Sequence, residues 1–310
     1  AIFSLACILT FSFVFSFNNP HLVRTFDIES SKVSTIGYHS PHNEIPVGDE
    51  NDLTVNVACS CLSSMSFDTT TGDATQVIAS AGWDSNFYLW DVRNSSSKPV
   101  AKIKLPDKAF SMDVDPSKGN RIAIATSGRR LCVIDVKMMK QDGPLDAYQA
   151  DMVLNRESSL KFQSRVCRFF PDGIGLAVGS IEGRVAVEFL NELGVSSKDK
   201  KRYAFKCHRS NDIVYPVNAI AFHPTFGTFA TGGCDGTTVT WDGLNKKKLT
   251  VLPKVPTSVA ALAFNGDGTE LAIASSYTFE EGERDAMHSV PDEIYVKTIA
   301  DVEVKPKLSK

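Results

Sequence analysis

Short apolar runs separated by polar turns recur along most of the chain, and they recur at long range. Gly82-Trp83-Asp84 is followed by NFYLW and Asp91, and Gly233-Cys234-Asp235 is followed after Gly236 by TTVTW and Asp242. Gly128 leads through RRLCVI to Asp135, and Glu182 leads through GRVAVE to Phe189. Each of these steps spans seven residues, and successive end points lie 44, 54 and 53 residues apart. A second strand pattern precedes each step. Val217–Phe222 (VNAIAF) aligns with Val259–Phe264 (VAALAF), and with VCRF at Val166 and FSMDV at Phe110. A Gly- or Asp-bearing turn follows each of these, then a run such as GLAVGS, TFATGG, ELAIASS or RIAIATS. Paired apolar runs across tight turns read as antiparallel hairpins. A period near that of a propeller blade, with insertions in loops, predicts repeated four-stranded sheets.

The fold expected is therefore all-β, a WD-repeat β-propeller. About five complete blades are legible, near 52–93, 100–137, 158–190, 203–245 and 249–300. The segment LVRTFDIE from Leu22 reads as the last strand of an earlier blade. Helices are confined to short turns, because no stretch shows capped 3.6-residue periodicity. Residues 1–21 are set apart from the repeats as an apolar segment, an artefactual or fragment start. Residues 22–303 form the propeller, and residues 304–310 form a basic tail.

Composition changes this picture little. Apolar residues make up 43% and charged residues 22% of 310, with a formal net charge of −3. An anionic ligand must accordingly meet a local basic patch. Seven cysteines, an odd number, lie mostly in strand-like runs, which fits reduced buried thiols better than a disulfide framework. Cys59-Ser60-Cys61 lacks a second pair at metal-site spacing, so no metal is expected. No Gly-rich phosphate loop, HExxH motif or ordered Ser-His-Asp set is present, and neither catalysis nor a cofactor is expected.

Several longer motifs occur in order: RESSLKFQ from Arg156, SIEGRVAVE from Ser180, YAFKCHR from Tyr203, LAIASSY from Leu271 and VKPK from Val304. Together they make Leu22 to Lys307 resemble the mitotic-checkpoint WD-repeat propellers that partner the Bub kinases. The messenger-RNA export propellers of the nuclear pore share SIEGRVA and FKCHR. Gly128-Arg129-Arg130, VAVEFL and NKKKL from Asn245 favour the checkpoint family, while HRSN and AFHPTFGT lean to the export one. Such propellers are usually seven-bladed, so the resemblance implies that the first one to two blades are missing here.

The resemblance implies an adaptor with two ligands: the GLEBS motif of the Bub kinases, and phosphorylated Met-Glu-Leu-Thr repeats of the outer-kinetochore scaffold. It also implies a place in the mitotic checkpoint complex and residence in the nucleus and at kinetochores with a cytoplasmic pool, without direct DNA or membrane binding. The alternative is an export factor that binds a nucleoporin GLEBS motif and RNA. The residue types suited to a peptide are Trp83, Lys161, Gln163, Arg165, Glu182, Arg184 and Tyr277. Phosphothreonine calls for a guanidinium or ammonium, for which Arg209, Lys206 and His208 are the candidates. Each has a structural reading beside the ligand one. Arg184 pairs with Glu182 or Glu188, His208 is a hydrogen-bonded core histidine, Lys246 to Lys248 form a solvated turn, and Trp90 and Trp241 pack within strands. The insertion from Thr278 to Pro291 is expected to be a loop.

Overall fold

A computed structural model describes residues 77–90, 99–117, 119–137, 152–190, 202–278 and 290–307 in full, and the strand backbone of several further segments. The Cys59–Cys61 side chains, loop residues 279–289 and the last three residues lie outside the described set. The chain divides into two compact units, Ala1–Glu157 and Ser158–Lys310.

The first unit contains three four-stranded antiparallel sheets. Strands β1 (Leu5–Ile8), β2 (Ser12–Phe15), β3 (Leu22–Asp27) and β4 (Lys32–Tyr38) form the first, in chain order. The second is β5 (Cys59–Asp68), β6 (Ala74–Gly82), β7 (Asn86–Asp91) and β8 (Ala101–Lys104). The third pairs β9 (Ala109–Val114), β10 (Arg121–Thr126) and β11 (Arg130–Asp135) with β14 (Met152–Glu157). A small hairpin, β12 (Lys140–Gln141) and β13 (Tyr148–Gln149), precedes β14.

In the second unit the fourth sheet is β15 (Ser164–Phe169), β16 (Gly175–Ser180), β17 (Arg184–Phe189) and β18 (Tyr203–Lys206). A hairpin of β19 (Arg209–Ser210) and β20 (Ile213–Val214) leads into the fifth sheet. That sheet is β21 (Val217–Phe222), β22 (Phe229–Gly233), β23 (Thr238–Asp242) and β24 (Lys247–Val251). The sixth has three strands, β25 (Val259–Phe264), β26 (Glu270–Ser275) and β27 (Glu293–Thr298), followed by the single turn of helix α1 (Asp301–Val304).

Two features differ from the sequence expectation. The outer strands β8, β14, β18 and β24 close sheets whose repeats seemed to end one strand earlier. Their sequences carry no continuous apolar run, because most are exposed on one side: β14 and β18 alternate half-buried and exposed positions. The segment from Leu22 is the third strand of a sheet, paired on one side with β2 and on the other with β4. The apolar run set apart from the repeats thus contributes β1 and β2 to that sheet.

The second strand of each central sheet is buried along its whole length: RIAIAT in β10, GLAVGS in β16 and FATGG in β22. Strands buried in this way read as unbroken apolar and small residues. Glycines mark where the next sheet's first strand arrives. A Cβ on Gly179 would lie 2.8 Å from a Val217 methyl, and one on Gly232 would lie 2.3 Å from a Val259 methyl. Val217 and Val259 are fully buried there, each worth about 1.5–3 kcal/mol of burial.

A bulge recurs at the start of the first strand in the second to sixth sheets. The register skips Ser60, Phe110, Arg165, Asn218 and Ala260, in every case opposite the end of the second strand. A bulge leaves one residue unpaired and re-aims its side chain. The Asp115–Arg121 ion pair, buried on both sides, closes the β9–β10 turn. Asp115 also accepts from the Ser117 amide and hydroxyl, and these donors outweigh burial to hold its carboxyl below the usual range.

Gly232→Ala should lower stability by about 1–3 kcal/mol through overpacking against Val259, read as a fall in melting temperature. Gly266→Ala, with nothing within 4 Å of the added methyl, should leave the melt within error.

Candidate functional site

The described polar candidates gather at the turn between β16 and β17, residues Ser180 to Arg184. Gly183 has φ +63, and a Cβ there would meet the His208 carbonyl at 2.4 Å and the Tyr215 carbonyl at 3.0 Å. Only glycine permits both the left-handed backbone and the approach of the next segment. The Gly183 carbonyl accepts from the Cys207 amide at 2.9 Å, so the turn is tied to the chain that forms β19.

Glu182 is nearly buried and organises this turn. Its Oε1 accepts from the Lys161 amide at 3.3 Å, and its Oε2 lies 3.4 Å from Arg184 Nε. Its backbone carbonyl accepts from Arg209 Nη2 at 2.9 Å. Two guanidinium groups therefore converge on one residue from different strands. Among the described residues, the buried Nε of Arg184 has only this ion pair and the buried Nε of Arg209 has no hydrogen-bond partner. Lys206, exposed, lies directly across the β17–β18 ladder from Arg184. Phe162 and Ile213 are more than half exposed, and Ile181 and Val214 are partly so, which surrounds the charges with apolar contact surface.

Of the sequence candidates, the structure brings Lys161, Glu182, Arg184, Lys206 and Arg209 to this turn. Gln163 adjoins it, since its carbonyl accepts from the Ile181 amide at 3.1 Å. Arg165 is the bulged residue of β15, half-buried. Tyr277 lies just after β26 in the sixth sheet, away from this turn. Trp83 belongs to the first unit, at the β6–β7 turn. It is 46% exposed, with Phe110 edge-on at 6.0 Å and Lys108 Nζ 5.6 Å from its ring centroid.

His208 requires correction as a phosphate ligand. It is 1% exposed, and both ring nitrogens are engaged. Nδ1 lies 2.9 Å from Asp235 Oδ1, and Nε2 lies 2.9 Å from Thr231 Oγ1. Thr231 Oγ1 also accepts from Trp241 Nε1 at 2.9 Å. The second sheet has a shorter counterpart, with Trp90 Nε1 donating to Ser80 Oγ at 2.8 Å. Trp90 and Trp241 thus pack and hydrogen-bond within their sheets. Burial opposes ionisation of Asp235, but donation from His208 and Thr237 outweighs it and holds the carboxyl below the usual range. Cys207 beside it is no nucleophile, because burial pushes its thiol up to about 12.

Sequence reasoning missed Ile181, Ile213 and Val214 as exposed apolar contacts. It also missed Phe110 and Asn218, which the bulges single out. Asn218 Nδ2 donates to the Val259 carbonyl at 3.1 Å and so bridges the fifth and sixth sheets. The available signal was the second residue of the repeat's opening strand, which the bulge displaces.

Residues 199–242 match the WD domain, G-beta repeat family. The chain is 46% identical over 241 residues to mitotic checkpoint protein BUB3.1 of Arabidopsis thaliana, covering 76% of this chain and 65% of that protein. It is 35% identical over 292 residues to mitotic checkpoint protein bub-3 of Caenorhabditis elegans, covering 93% of this chain and 74% of the relative. The chain belongs to the BUB3 family. It spans just under two thirds of the length of its Arabidopsis relative. The poly(A)+ RNA export protein of Schizosaccharomyces pombe is also similar to this BUB3-family chain, at 34% identity over 76% of it and 62% of that protein. A chain in a crystal structure of the mitotic checkpoint complex superposes with a TM-score of 0.63 at 12% identity, over 90% of this chain and 71% of that one. That likeness supports the WD-repeat propeller fold.

His208→Ala should destabilise the second unit by about 1–3 kcal/mol, because it removes one buried partner from each of Asp235 and Thr231. Asp235 has a depressed folded pKa, so its stabilisation is full above the unfolded value of about 3.9 and is lost as pH falls through the folded value. Melting temperature followed from about pH 6 to pH 3 should fall more steeply for the parent chain than for Asp235→Asn.

Proposed function

We propose that this BUB3-family chain serves as a mitotic-checkpoint adaptor that captures disordered protein segments and carries out no chemistry of its own. The observation that supports this most is the Glu182 turn. A buried carboxylate holds Arg184, the Lys161 amide is fixed beside it, and Arg209 is hydrogen-bonded to the same residue's carbonyl. Such a rigid turn lowers the entropy lost when a flexible peptide binds, and the rim of Phe162, Ile181 and Ile213 adds apolar anchors.

In this reading the partners are the GLEBS segments of Bub-family kinases and phosphorylated Met-Glu-Leu-Thr repeats of the kinetochore scaffold, with assembly into the mitotic checkpoint complex. Within the second unit, Lys161, Gln163, Arg165, Glu182, Arg184 and Tyr277 are the residues offered to the GLEBS peptide; the exposed Trp83 is a separate candidate contact in the first unit. Arg209 and Lys206 receive the phosphothreonine, without His208. The protein works in the nucleus and at kinetochores, with a cytoplasmic pool. The similarity to an RNA export protein carries a second reading, binding of a nucleoporin segment and single-stranded RNA. Strongly salt-dependent RNA affinity with no phosphopeptide affinity would select it.

Calorimetry with synthetic peptides tests the proposal. Arg209→Ala should weaken a phosphorylated Met-Glu-Leu-Thr peptide by about tenfold or more, the scale of a lost charge-assisted contact, with little change for the unphosphorylated peptide. Equal losses for both would remove Arg209 from the phosphate site, and no binding of either the phosphopeptide or a GLEBS peptide would refute the adaptor reading.

A further inference from the structure

We propose that the outer edge of the fifth sheet is a separate docking surface, one that accepts an extended acidic polypeptide alongside β24. Among the described residues, strand β24 ends its sheet, with β23 on one side and no strand on the other. Three consecutive lysines, Lys246, Lys247 and Lys248, occupy the β23–β24 turn and the start of this edge. The segment after the sixth sheet brings two more. Helix α1 packs on β23 and β24, the Thr228 and Thr240 hydroxyls donate to the Val304 and Glu303 carbonyls at 2.7 Å, and Lys247 Nζ reaches the Lys307 carbonyl at 3.5 Å. Lys305 and Lys307 are thereby fixed near the same edge, both exposed.

Among the described residues, Lys246, Lys248, Lys305 and Lys307 form no ion pair, while nearby Lys297 is paired with Glu303. Lysines on an edge strand often only discourage aggregation, but that role needs no fixed turn. This turn is held from three directions. Asp242 accepts from the Asn245 amide at 2.9 Å and from its side chain at 2.7 Å. The Tyr203 hydroxyl donates to the Gly243 carbonyl. Lys246 takes φ 56, unusual for a residue with a side chain, and its ammonium sits 4.6 Å from the Tyr203 ring centroid. Leu244 and Val251, 53% and 48% exposed, provide apolar contacts at either end of the strand.

The chemistry favours a polypeptide over nucleic acid. An open strand edge offers main-chain donors and acceptors that an extended peptide satisfies and a nucleotide backbone does not. The Tyr203 ring at this turn is already engaged by the Lys246 ammonium, and neither Leu244–Val251 nor Val302–Lys307 adds an aromatic residue on which a base would stack. The formal net charge of −3 also gives no chain-wide field to draw in a polyanion.

Fluorescence anisotropy on the full chain, with a labelled peptide of alternating Glu and Val, tests this. Binding should weaken as NaCl rises from about 50 to 300 mM. Lys246→Glu combined with Lys248→Glu should weaken it about tenfold, on the scale of reversed interfacial charges. Lys246→Gly suits the same backbone and keeps the fold, and should weaken it about twofold to threefold. Arg209→Ala should change nothing, since that arginine serves the Glu182 turn. Undiminished binding by the lysine variants, a loss with Arg209→Ala, or tighter binding of a single-stranded RNA oligonucleotide than of the peptide would each overturn the proposal.

Discussion

The contact on which the second unit depends is the seating of each sheet's first strand against the small residues of the sheet before it. Val217 occupies the space that a Cβ on Gly179 would need, and Val259 does the same at Gly232. Because the middle strands are buried on both faces, their polar backbone must be satisfied by ladders on either side. The antiparallel order of each sheet supplies these. The stack leaves only turns and outer strands free to vary, so recognition chemistry is confined to them.

That confinement explains the character of the Glu182 turn. Its glycine is required by the approach of the His208 and Tyr215 carbonyls, and its glutamate is held by an amide from the preceding loop. The turn is thus shaped by packing before any ligand arrives. The corresponding turn of the fifth sheet uses Asp235 inwardly, to hold His208, and not outwardly. Equivalent positions in neighbouring repeats therefore have different surroundings: a buried histidine faces Asp235, and exposed apolar residues flank Glu182.

The same reasoning separates the two basic regions. At the Glu182 turn the guanidinium groups lean on a carboxylate and a carbonyl, which fixes their geometry for a localised anion. Along β24, Lys246 sits against the Tyr203 ring and Lys247 reaches the Lys307 carbonyl, and in our proposal this row at the sheet edge meets distributed negative charge on an extended chain. The first region arises from a turn within one sheet. The second requires the segment after the sixth sheet to cross back onto the fifth, through Thr228 and Thr240.

Much of the architecture was legible in the chain alone. The seven-residue step from Asp84 to Asp91, repeated at Asp235 to Asp242, located the second and third strands of each sheet, because those strands are buried and read as continuous apolar runs. The outer strands were misassigned because alternation over four to six half-exposed residues, as in β14 and β18, leaves little pattern to detect. Residue chemistry pointed to Lys161, Glu182, Arg184 and Arg209, but spacing carried no information on their convergence. His208 and Arg209 are adjacent in sequence, and neither composition nor period separates them. Burial does: one side chain turns into the sheet toward Asp235 and Thr231, and its neighbour reaches the Glu182 carbonyl. The amino-acid pattern by itself determined the repeated all-β sheets, since strand burial is written in local hydrophobicity. Which polar groups are consumed inside those sheets was decided only by the tertiary structure, since their partners lie some 20 to 30 positions away in the chain.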